Sequence, residues 1–295
     1  MYKGILLAGG VGARLYPMTS VTSKQLLPVY DKPMIYYPLS TLMLFGINDI
    51  LIISTAKDIL NIQQLFGNGS QIGLSISYKI QDSPNGIAEA LILGKEFIGK
   101  DDICLILGDN IFYMGDQIGD FTTTINNNPG AVICTYHVLD PQRFGVAITG
   151  NDDMVLSLEE KPKKPKSNLA VTGLYFYKND AIDKAMRLKP SLRGELEITD
   201  LNLEYMHEKR LKAFRMVRGT AWLDAGTPDS LIDAALFVQM IEKRQGLKIS
   251  CIEEIALNRG FISINQFNKL VSSYKGQGAY KAYLENILHE RERHV

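Results

Sequence analysis

The sequence predicts an α/β protein built on a mostly parallel, doubly wound sheet. Short apolar runs at 5–8, 49–54 and 103–107 indicate buried strands, because a strand covered on both faces is continuously apolar. Segments with helical periodicity alternate with these runs, which is typical of parallel sheets with crossover helices. Ligands of such sheets bind beyond the carboxyl ends of the strands, so we expect the functional residues in the loops that follow them.

The other predicted elements follow from local patterns. The segment 74–80 alternates apolar and polar residues, as a strand covered on one face does, and 171–177 is rich in β-branched and aromatic residues. A helix is expected from Thr227-Pro228 to about Lys243, since threonine caps a helix and proline fits its first turn. Further predictions are helices at 34–45, 59–66, 88–98, 180–188 and 200–208, a strand at 131–138, a hairpin of 146–148 with 154–158, and an amphipathic segment at 280–288.

The overall composition disfavours several classes of protein. The 295 residues include 32 Lys and Arg and 32 Asp and Glu, so no basic excess indicates binding to nucleic acid or to an anionic membrane. No apolar run approaches the ~20 residues that span a bilayer, and no signal-peptide pattern is present. The three cysteines form no C-x-x-C pair, which disfavours zinc and favours a reducing compartment. We therefore predict a cytoplasmic protein whose partners are small molecules, with no nucleic acid and no membrane.

A glycine-rich loop follows the first predicted strand. Gly9, Gly10 and Gly12 allow the backbone to approach a ligand closely, and N–H groups at the end of such a strand suit phosphate. Arg14 adds a planar fork for phosphate oxygens, and Lys24 adds a mobile positive charge. A purely steric turn is the alternative for the glycines alone. With both cations, the loop predicts a ligand with several negative charges.

Two other phosphate-binding motifs do not match this loop. The dinucleotide fingerprint G-x-G-x-x-G fits Gly10 and Gly12, but Leu15 occupies the place of its third glycine. The P-loop pattern is absent from this loop. The missing glycine and the two cations disfavour an NAD-dependent Rossmann enzyme, which stays an alternative.

Two aspartates beside predicted strands and helices are candidate metal ligands. Asp109 follows the buried run 103–107, and Asp224 lies just before the helix at Thr227. Each taken alone is more often a turn residue. Together with a polyanion loop they predict a Mg²⁺ site, because Mg²⁺ takes one or two carboxylates and completes its shell with phosphate oxygens and water.

Further positions fit a sugar phosphate and a pyrimidine. Glu160 is suited to accept sugar hydroxyls and Lys161 to hold a sugar phosphate, although solvated surface charge explains them equally well. Gly145 leaves room for a sugar ring, or simply ends a turn. Gln81, which with Gly86 flanks a turn, can recognise a pyrimidine edge because its amide both donates and accepts; the alternative is a polar loop residue.

The acidic run 193–200 has two interpretations. Paired carboxylates are typical of glycosidases. The simpler interpretation is the entry of a helix, with Thr199 or Asp200 as its cap.

The chain resembles the sugar-phosphate nucleotidyltransferases over nearly its whole length. The motifs behind the resemblance are long and ordered. They are Leu-Ala-Gly-Gly-x-Gly-x-Arg-Leu-Tyr-Pro at 7–17, Ser-Lys-Gln-Leu-Leu-Pro at 23–28, and the segments 30–41, 107–113, 157–162, 170–177, 193–200 and 222–224.

The resemblance implies a Rossmann-like mixed, mostly parallel sheet flanked by helices, with a sugar-binding lobe and a helical C-terminal appendage. The implied parts are a nucleotidyltransferase core at 1–245, with nucleotide-binding (about 1–138) and sugar-binding (about 139–226) portions, and the appendage at 246–295. The implied reaction is Mg²⁺-dependent transfer of a thymidylyl group from dTTP to glucose 1-phosphate. A homotetramer that supplies dTDP-glucose to dTDP-rhamnose and polysaccharide biosynthesis is also implied.

The resemblance assigns roles to the matching positions. It implies that the triphosphate contacts Gly9, Gly10, Gly12, Ala13, Arg14 and Lys24, and that the thymidine contacts Gln25, Gln81 and Gly86. The implied sugar site is formed by Asn110, Gly145, Glu160, Val171 and Trp222, and Lys161 is implied to hold the phosphate of glucose 1-phosphate. Asp109 and Asp224 are implied to bind Mg²⁺. The implied catalytic set is Arg14, Lys24, Asp109, Lys161 and Asp224.

The chain departs from the family pattern at a few positions. Val11 and Ala13 replace Ser and Thr in the glycine loop, where the backbone amides act. Met114-Gly115 and Asn258 replace residues of the family's regulatory nucleotide site, so the resemblance does not imply feedback regulation. UTP or another hexose 1-phosphate as substrate, and a non-catalytic sugar-nucleotide-binding regulator, stay alternatives.

Overall fold

The computed structural model describes residues 1–10 and 12–293, so Val11 of the glycine loop lies outside the described residues. The strands in this part of the chain are β1 (Tyr2–Ala8), β2 (Pro28–Val29), β3 (Lys32–Pro33), β4 (Asp49–Ser54), β5 (Ser75–Ile80), β6 (Asp102–Leu107), β7 (Asn110–Tyr113), β8 (Ala131–His137), β9 (Gly145–Thr149), β10 (Val155–Glu160), β11 (Leu169–Tyr177), β12 (Leu211–Arg215) and β13 (Ala221–Asp224). The helices are α1 (Tyr36–Leu44), α2 (Ile59–Phe66), α3 (Glu89–Leu93), α4 (Lys95–Ile98), α5 (Gln117–Asn126), α6 (Ala181–Arg187), α7 (Ile198–His207), α8 (Pro228–Gln245), α9 (Ile252–Asn258), α10 (Ile264–Ser273) and α11 (Ala279–Arg293).

A large mixed sheet forms the centre of the fold. Strands β6, β1, β4 and β5 lie side by side and run parallel, with α-helices in their connections. Strand β11 adds to β6 in the antiparallel direction, and β8 and β12 continue the sheet beyond β11. The α/β fold class predicted from the sequence is therefore confirmed.

The sheet forks at β11, and the fork positions the site. The first part of β11 pairs with β9, while its last part pairs with β6, on either side of Gly173. A register irregularity between Val171 and Tyr175 interrupts the pairing with β8 over the same stretch. The end of β6, at Leu107, and the start of β9, at Gly145, therefore both open onto one cleft.

Helices cover both faces of the sheet because the strand residues alternate between two apolar clusters. Ile5 and Leu51 face the cluster that contains α3, α6 and α7. Leu6 and Ile52 face the cluster that contains α1, α2 and α5, and residues of α9, α10 and α11 belong to this same cluster. The three C-terminal helices are thus packed onto one face of the central sheet.

Most predicted elements are confirmed, and the differences have local causes. The strand 49–54 and the helix 59–66 match β4 and α2 to the residue. The single helix predicted at 88–98 is wrong, because the helix is interrupted at Gly94 and becomes α3 and α4. The predicted cap at Thr199 or Asp200 is also wrong, since α7 begins at Ile198 and the hydroxyl of Thr199 donates instead to Glu160.

Candidate active site

A two-stranded ribbon brings Asp109 and Asp224 together from distant parts of the chain. Strands β7 and β13 are antiparallel, and their register places Asp224 opposite Asn110, directly beside Asp109. The backbone N–H of Ala225 donates to the carbonyl of Asp109 over 3.2 Å. Both carboxylates line a cavity of about 540 Å³ at the fork of the sheet.

The two carboxylates have opposite electrostatic surroundings. Burial raises the pKa of Asp109, but Lys24, which forms a short ion pair with it, and a hydrogen bond from Asn110 outweigh burial, so the pKa lies below its ordinary value of 3.8. The pKa of Asp224 is raised, first by burial and then by the negative charge of Asp109, although nearby cations oppose this. The ionised form of Asp224 therefore destabilises the folded state.

Two arginines lie beside Asp224. The Nη2 atom of Arg143 is 3.6 Å from its Oδ2 atom. A Cβ atom on Gly226 would lie 2.7 Å from Nη2 of Arg14 and 3.2 Å from Oδ1 of Asp224, so the absence of a side chain there leaves room for the Arg14 guanidinium. The sequence reasoning predicted Arg14 and missed Arg143, whose only signal was its position two residues before Gly145.

Asn110 is buried and uses its whole amide to hold other parts of the site. Its Oδ1 atom accepts the backbone N–H of Gly173 over 3.0 Å and the indole N–H of Trp222 over 2.6 Å. Its Nδ2 atom donates to Asp109 over 3.0 Å. Asn110 thus connects β11, β13 and the metal-ligand candidate Asp109. It also lines the cavity, which its predicted contact with the sugar requires.

The glycine loop lies beside the same carboxylates. A Cβ atom on Gly9 would lie 2.5 Å from Oε1 of Gln81, whose Nε2 atom donates to Glu89 over 2.6 Å. A Cβ atom on Gly10 would lie 3.3 Å from Cε of Lys24. Gly12 has a φ of +64°, a conformation that glycine adopts without strain, and it is followed by a short 3₁₀ turn at Ala13–Leu15.

Gln25 and Gly86 lie close to backbone of other segments. Gln25 is almost fully buried, its side chain packs where a Cβ on Gly108 would be, and within the described residues its Oε1 atom has no hydrogen-bond partner. Gly86 has a φ of +110°, and a Cβ there would lie 2.3 Å from the carbonyl oxygen of Leu196. The turn after Gln81 is therefore packed against the segment that leads into α7.

The other end of the cavity is formed by β9, β10, β11 and the start of α7. Gly145, Glu160, Val171 and Thr199 line it, and Thr199 fixes Oε2 of Glu160 at 2.6 Å. Lys161 also lines the cavity, with its Nζ atom 3.5 Å from Oε1 of Glu160.

The backbone of Lys161 is unusual. Its φ is +43°, which is rare for a residue with a side chain, and its N–H donates to the carbonyl of Phe144 over 3.0 Å. Such strain concentrates at functional sites. Arg193, which the sequence reasoning left without a role, also lines this end and forms a bidentate pair with Glu197.

The donor set at Asp109 and Asp224 fits a hard divalent cation. Two carboxylates meet at one wall of a cavity that cations line, as Mg²⁺ sites completed by substrate phosphate oxygens require. Within residues 1–10 and 12–293, no group of three or more His, Cys, Asp or Glu side chains is arranged to hold a metal ion.

Comparison with known proteins identifies the family. A family model described as "Nucleotidyl transferase" matches residues 3–240. The chain belongs to this nucleotidyl transferase family. It is an enzyme that transfers a nucleotidyl group, and its carboxylates, cations and glycine loop lie together on one cavity.

Relatives within the nucleotidyl transferase family share about half of the residues. A protein of Neisseria meningitidis serogroup A named glucose-1-phosphate thymidylyltransferase is 51% identical over 286 residues, which cover 97% of this chain and 99% of that protein. A protein of Mycobacterium tuberculosis with the same name is 51% identical with the same coverage.

Solved structures show the same fold. One is a structure from Bacillus anthracis of a protein assigned as a glucose-1-phosphate thymidylyltransferase, in complex with sucrose. It is 44% identical, has a TM-score of 0.75, and covers 80% of this chain and 95% of that one. A UDP-glucose pyrophosphorylase complexed with UDP-glucose has a TM-score of 0.73 at 23% identity, covering 83% of this chain and 100% of that one, and supports the fold alone.

Three of the positions where the chain departs from the family pattern lie together. Met114, Gly115 and Asn258 line a second cavity of about 300 Å³, to which α1, β7, α9 and the segment 245–250 also contribute. The side-chain oxygen of Asn258 accepts a hydrogen bond from Arg291 over 2.6 Å.

No helix in the described part of the chain is long and apolar enough to span a membrane.

Proposed function

We propose that this chain transfers the thymidylyl group of dTTP to α-D-glucose 1-phosphate, giving dTDP-glucose and pyrophosphate with Mg²⁺ as cofactor. The supporting observation is the pairing of β7 with β13, which brings Asp109 and Asp224 to one wall of a cavity beside Lys24, Arg14 and Arg143. The names of the relatives at 51% identity support this choice of substrates.

The reaction is a direct in-line displacement. A phosphate oxygen of glucose 1-phosphate attacks the α-phosphorus of dTTP and forms the new P–O bond. The bond from the α-phosphorus to the oxygen bridging to the β-phosphate breaks, and its electron pair leaves with pyrophosphate. Because the nucleophile is already an anion, the protein needs no strong general base, and catalysis comes from positioning and charge neutralisation.

The glycine loop and the cations bind the polyphosphate in this proposal. Lys24 is held by Asp109 beside Gly10, and Arg14 lies beside Gly226, so both cations are placed before the nucleotide arrives. Asp109 and Asp224 hold Mg²⁺, which neutralises phosphate charge when bound. The loop residues assigned to the triphosphate are Gly9, Gly10, Gly12, Ala13 and Arg14.

The base site is formed by Gln25, Gln81 and Gly86. Gln81 is buried against Gly9 and its Nε2 atom donates to Glu89, so its Oε1 atom is held in place next to Gly9. The partnerless Oε1 atom of the buried Gln25 is an acceptor that a donor on the ligand can satisfy. Gly86 permits the turn after Gln81 to pack against the segment that leads into α7.

The sugar site lies at the other end of the cavity. Glu160, fixed by Thr199, accepts glucose hydroxyls, and Gly145 and Val171 give the ring a close apolar wall. Lys161 holds the phosphate of glucose 1-phosphate, and its left-handed backbone aims the side chain from the end of β10. Asn110 and Trp222 complete this wall.

Four further inferences accompany the proposal, on domain division, location, oligomeric state and pathway. We infer the domain division 1–245 and 246–295, with nucleotide-binding and sugar-binding portions meeting near residue 138. We also infer a cytoplasmic homotetramer whose product enters dTDP-rhamnose and polysaccharide biosynthesis. These inferences rest on the family resemblance of the sequence.

The proposal is tested by the rate of pyrophosphate release with dTTP, UTP, CTP and ATP, each combined with several hexose 1-phosphates. The highest kcat/KM is expected for dTTP with glucose 1-phosphate. A higher kcat/KM for UTP would mean that the enzyme transfers a uridylyl group instead of a thymidylyl group, since uracil and thymine present the same edge to Gln81. Binding of dTDP-glucose without turnover of any pair would instead identify a regulator.

A further inference from the structure

Glu89 holds the side-chain amide of Gln81 in one orientation. The Nε2 atom of Gln81 donates to Oε2 of Glu89 over 2.6 Å. An ionised carboxylate can only accept hydrogen bonds, so the reversed amide would turn its own oxygen towards the oxygens of Glu89 and lose this bond. The order of nitrogen and oxygen in the Gln81 amide therefore follows from the chemistry of its partner.

The carboxylate of Glu89 is itself held in place. Its Oε1 atom accepts a hydrogen bond from Nδ2 of Asn85 over 2.8 Å. Glu89 is the first residue of α3, and the residue before it, Ala88, donates its backbone N–H to the carbonyl of Leu196 over 3.2 Å. Because both carboxylate oxygens accept from side-chain amides, Glu89 cannot turn away from Gln81 without losing two hydrogen bonds.

Gln81 lies where the glycine loop and the central sheet meet. It is 6% exposed, and its backbone N–H donates over 2.8 Å to the carbonyl of Ser54, the last residue of β4. Its Oε1 atom lies against the loop, 2.5 Å from the place of a Cβ atom on Gly9. The amide nitrogen thus points to Glu89 and the amide oxygen to Gly9, so a base that binds beside the loop meets this one orientation.

Pyrimidine bases differ in the order of donors and acceptors along the edge that a carboxamide can pair with. Thymine and uracil present the acceptor O4 beside the donor N3–H. Cytosine presents the reverse order, because its exocyclic N4 amine donates and its N3 atom accepts. A carboxamide offers an N–H and a carbonyl oxygen side by side, so each of its two orientations complements only one of these orders.

We propose that Glu89 is a positioning residue that makes this enzyme select thymine and uracil over cytosine, because it holds the Gln81 amide in the orientation that fits their edge. In the proposed function the base binds at Gln81, and the role of Glu89 rests on that binding. A cytosine in the same place would set donor against donor and acceptor against acceptor, which leaves buried polar groups unpaired.

Gln25, the other glutamine assigned to the base, is not held in this way. It is 1% exposed, and within the described residues its Oε1 atom has no hydrogen-bond partner. The selection between the two kinds of pyrimidine is therefore assigned to the pair of Gln81 and Glu89.

Binding of dTTP, dUTP and dCTP to the full chain tests the proposal, measured by isothermal titration calorimetry with Mg²⁺ and without glucose 1-phosphate. The three nucleotides share deoxyribose and triphosphate, so their dissociation constants differ only through the base. Wild type is expected to bind dTTP and dUTP at least about a hundredfold more tightly than dCTP. Equal binding of dCTP and dTTP would overturn the role of Glu89 alone, whereas no binding of any of the three would overturn the proposed function as well.

Glu89→Gln keeps the size of the side chain but replaces the carboxylate by an amide that can donate as well as accept. The Gln81 amide can then take either orientation, so the ratio of the Kd for dCTP to the Kd for dTTP should fall at least about tenfold. The matched control is Glu96→Gln in α4, at a separate surface pocket, which should keep the wild-type ratio. A merely structural role of Glu89 would weaken both nucleotides equally, so an unchanged ratio in Glu89→Gln would overturn the proposal.

Glu89→Lys is a second variant that does not depend on whether Glu89→Gln folds. An ammonium group only donates hydrogen bonds, so it favours the reversed orientation, with the Gln81 oxygen turned towards position 89. The ratio of the two Kd values should therefore fall further than in Glu89→Gln, towards tighter binding of dCTP than of dTTP. A wild-type ratio in Glu89→Lys would contradict the assignment of base selection to Glu89.

Discussion

Trp222 donates its indole N–H to Oδ1 of Asn110 over 2.6 Å, and this hydrogen bond joins side chains of the paired strands β13 and β7 next to the candidate metal ligands. Asp109 directly precedes β7, which begins at Asn110, and Trp222 precedes Asp224 by two residues in β13. The same oxygen accepts the backbone N–H of Gly173 at the fork of the sheet. The relative positions of Asp109 and Asp224 therefore depend on a buried amide that sequence reasoning assigned to sugar binding.

Asn110→Ala should lower both stability and turnover. It leaves two buried donors, on Trp222 and Gly173, without an acceptor, which costs about 1–3 kcal/mol of unfolding free energy. It also removes the donor that orients Asp109, so kcat should fall at least about tenfold. Trp222 is the only tryptophan of the chain, and its emission spectrum should change in the variant. Urea unfolding, steady-state rates and fluorescence measure the three effects.

Trp222→Phe is the matched control for Asn110→Ala. It removes one donor and leaves the contacts of Asn110 with Gly173 and Asp109 in place, so its effect on kcat should be smaller than that of Asn110→Ala. An equal loss of kcat in both variants would contradict a positioning role for Asn110.

Asp109→Asn and Asp224→Asn should change stability in opposite directions at neutral pH. Asp109→Asn leaves the partly buried Lys24 ammonium without its carboxylate, which should cost about 2 kcal/mol of unfolding free energy. Asp224→Asn removes an anion that burial and Asp109 destabilise, so it should raise the Tm by about 2 °C. Differential scanning calorimetry at neutral pH measures both; an equal decrease for the two variants would contradict the opposite environments.

The pH dependence of these stability changes follows from the two pKa shifts. The pKa of Asp224 is raised in the folded state, so ionisation lowers stability as the pH rises from 3.8 through the raised pKa. The pKa of Asp109 is lowered, so its contribution is present above 3.8 and is lost as the pH falls through the folded value. The advantage of Asp224→Asn should therefore disappear at a higher pH than the disadvantage of Asp109→Asn.

Lys161→Ala should separate the two substrates. Its side chain lines the sugar end of the cavity, so the KM for glucose 1-phosphate should rise about tenfold or more while the KM for dTTP changes little. Lys164→Ala, on the same exposed loop but outside the cavity, is the control and should match wild type. Equal increases in both KM values would remove Lys161 from the sugar phosphate.

Gly9→Ala should damage the nucleotide site selectively. The added methyl group would lie 2.5 Å from Oε1 of Gln81, whose amide is fixed by Glu89, so Gln81 must move. We expect the KM for dTTP to rise about tenfold with little change in that for glucose 1-phosphate. Gly119→Ala in α5, where a Cβ meets no atom within 4 Å, is the control. An unchanged KM for dTTP in Gly9→Ala would place the base elsewhere.

The parts of the fold that sequence reasoning predicted are those with strong local signals. Strand β4 is a continuous apolar run, and α2 ends at a Gly-Asn-Gly sequence, so both boundaries were predictable. Strands β7 and β13 were not, because each has four residues and their pairing joins residues more than a hundred positions apart. The interruption at Gly94 depends on packing, since a Cβ there would lie 2.9 Å from Ile5.

Candidate site residues were predictable from the sequence where their side-chain type is typical of binding a certain ligand. They were not predictable where contacts in the folded chain determine what the side chain does. Gly9 and Lys24 together predict a polyanion site from residue type and spacing, and Asp109 predicts a metal only in combination with that loop and Asp224. Arg143 has no signal in the sequence beyond its position two residues before Gly145, and it becomes relevant because it lies 3.6 Å from Asp224. Thr199 fits a helix cap by pattern, but its hydroxyl is used to fix Glu160.

The central claim is that Asp109 and Asp224 together bind the cation that neutralises the triphosphate. The most direct measurement is the initial rate of pyrophosphate release from dTTP and glucose 1-phosphate across Mg²⁺ concentrations, for wild type, Asp109→Asn and Asp224→Asn. Wild type should depend on Mg²⁺ and saturate, and each variant should lose at least about a hundredfold in rate that excess Mg²⁺ does not restore. Wild-type rates in both variants would contradict the claim.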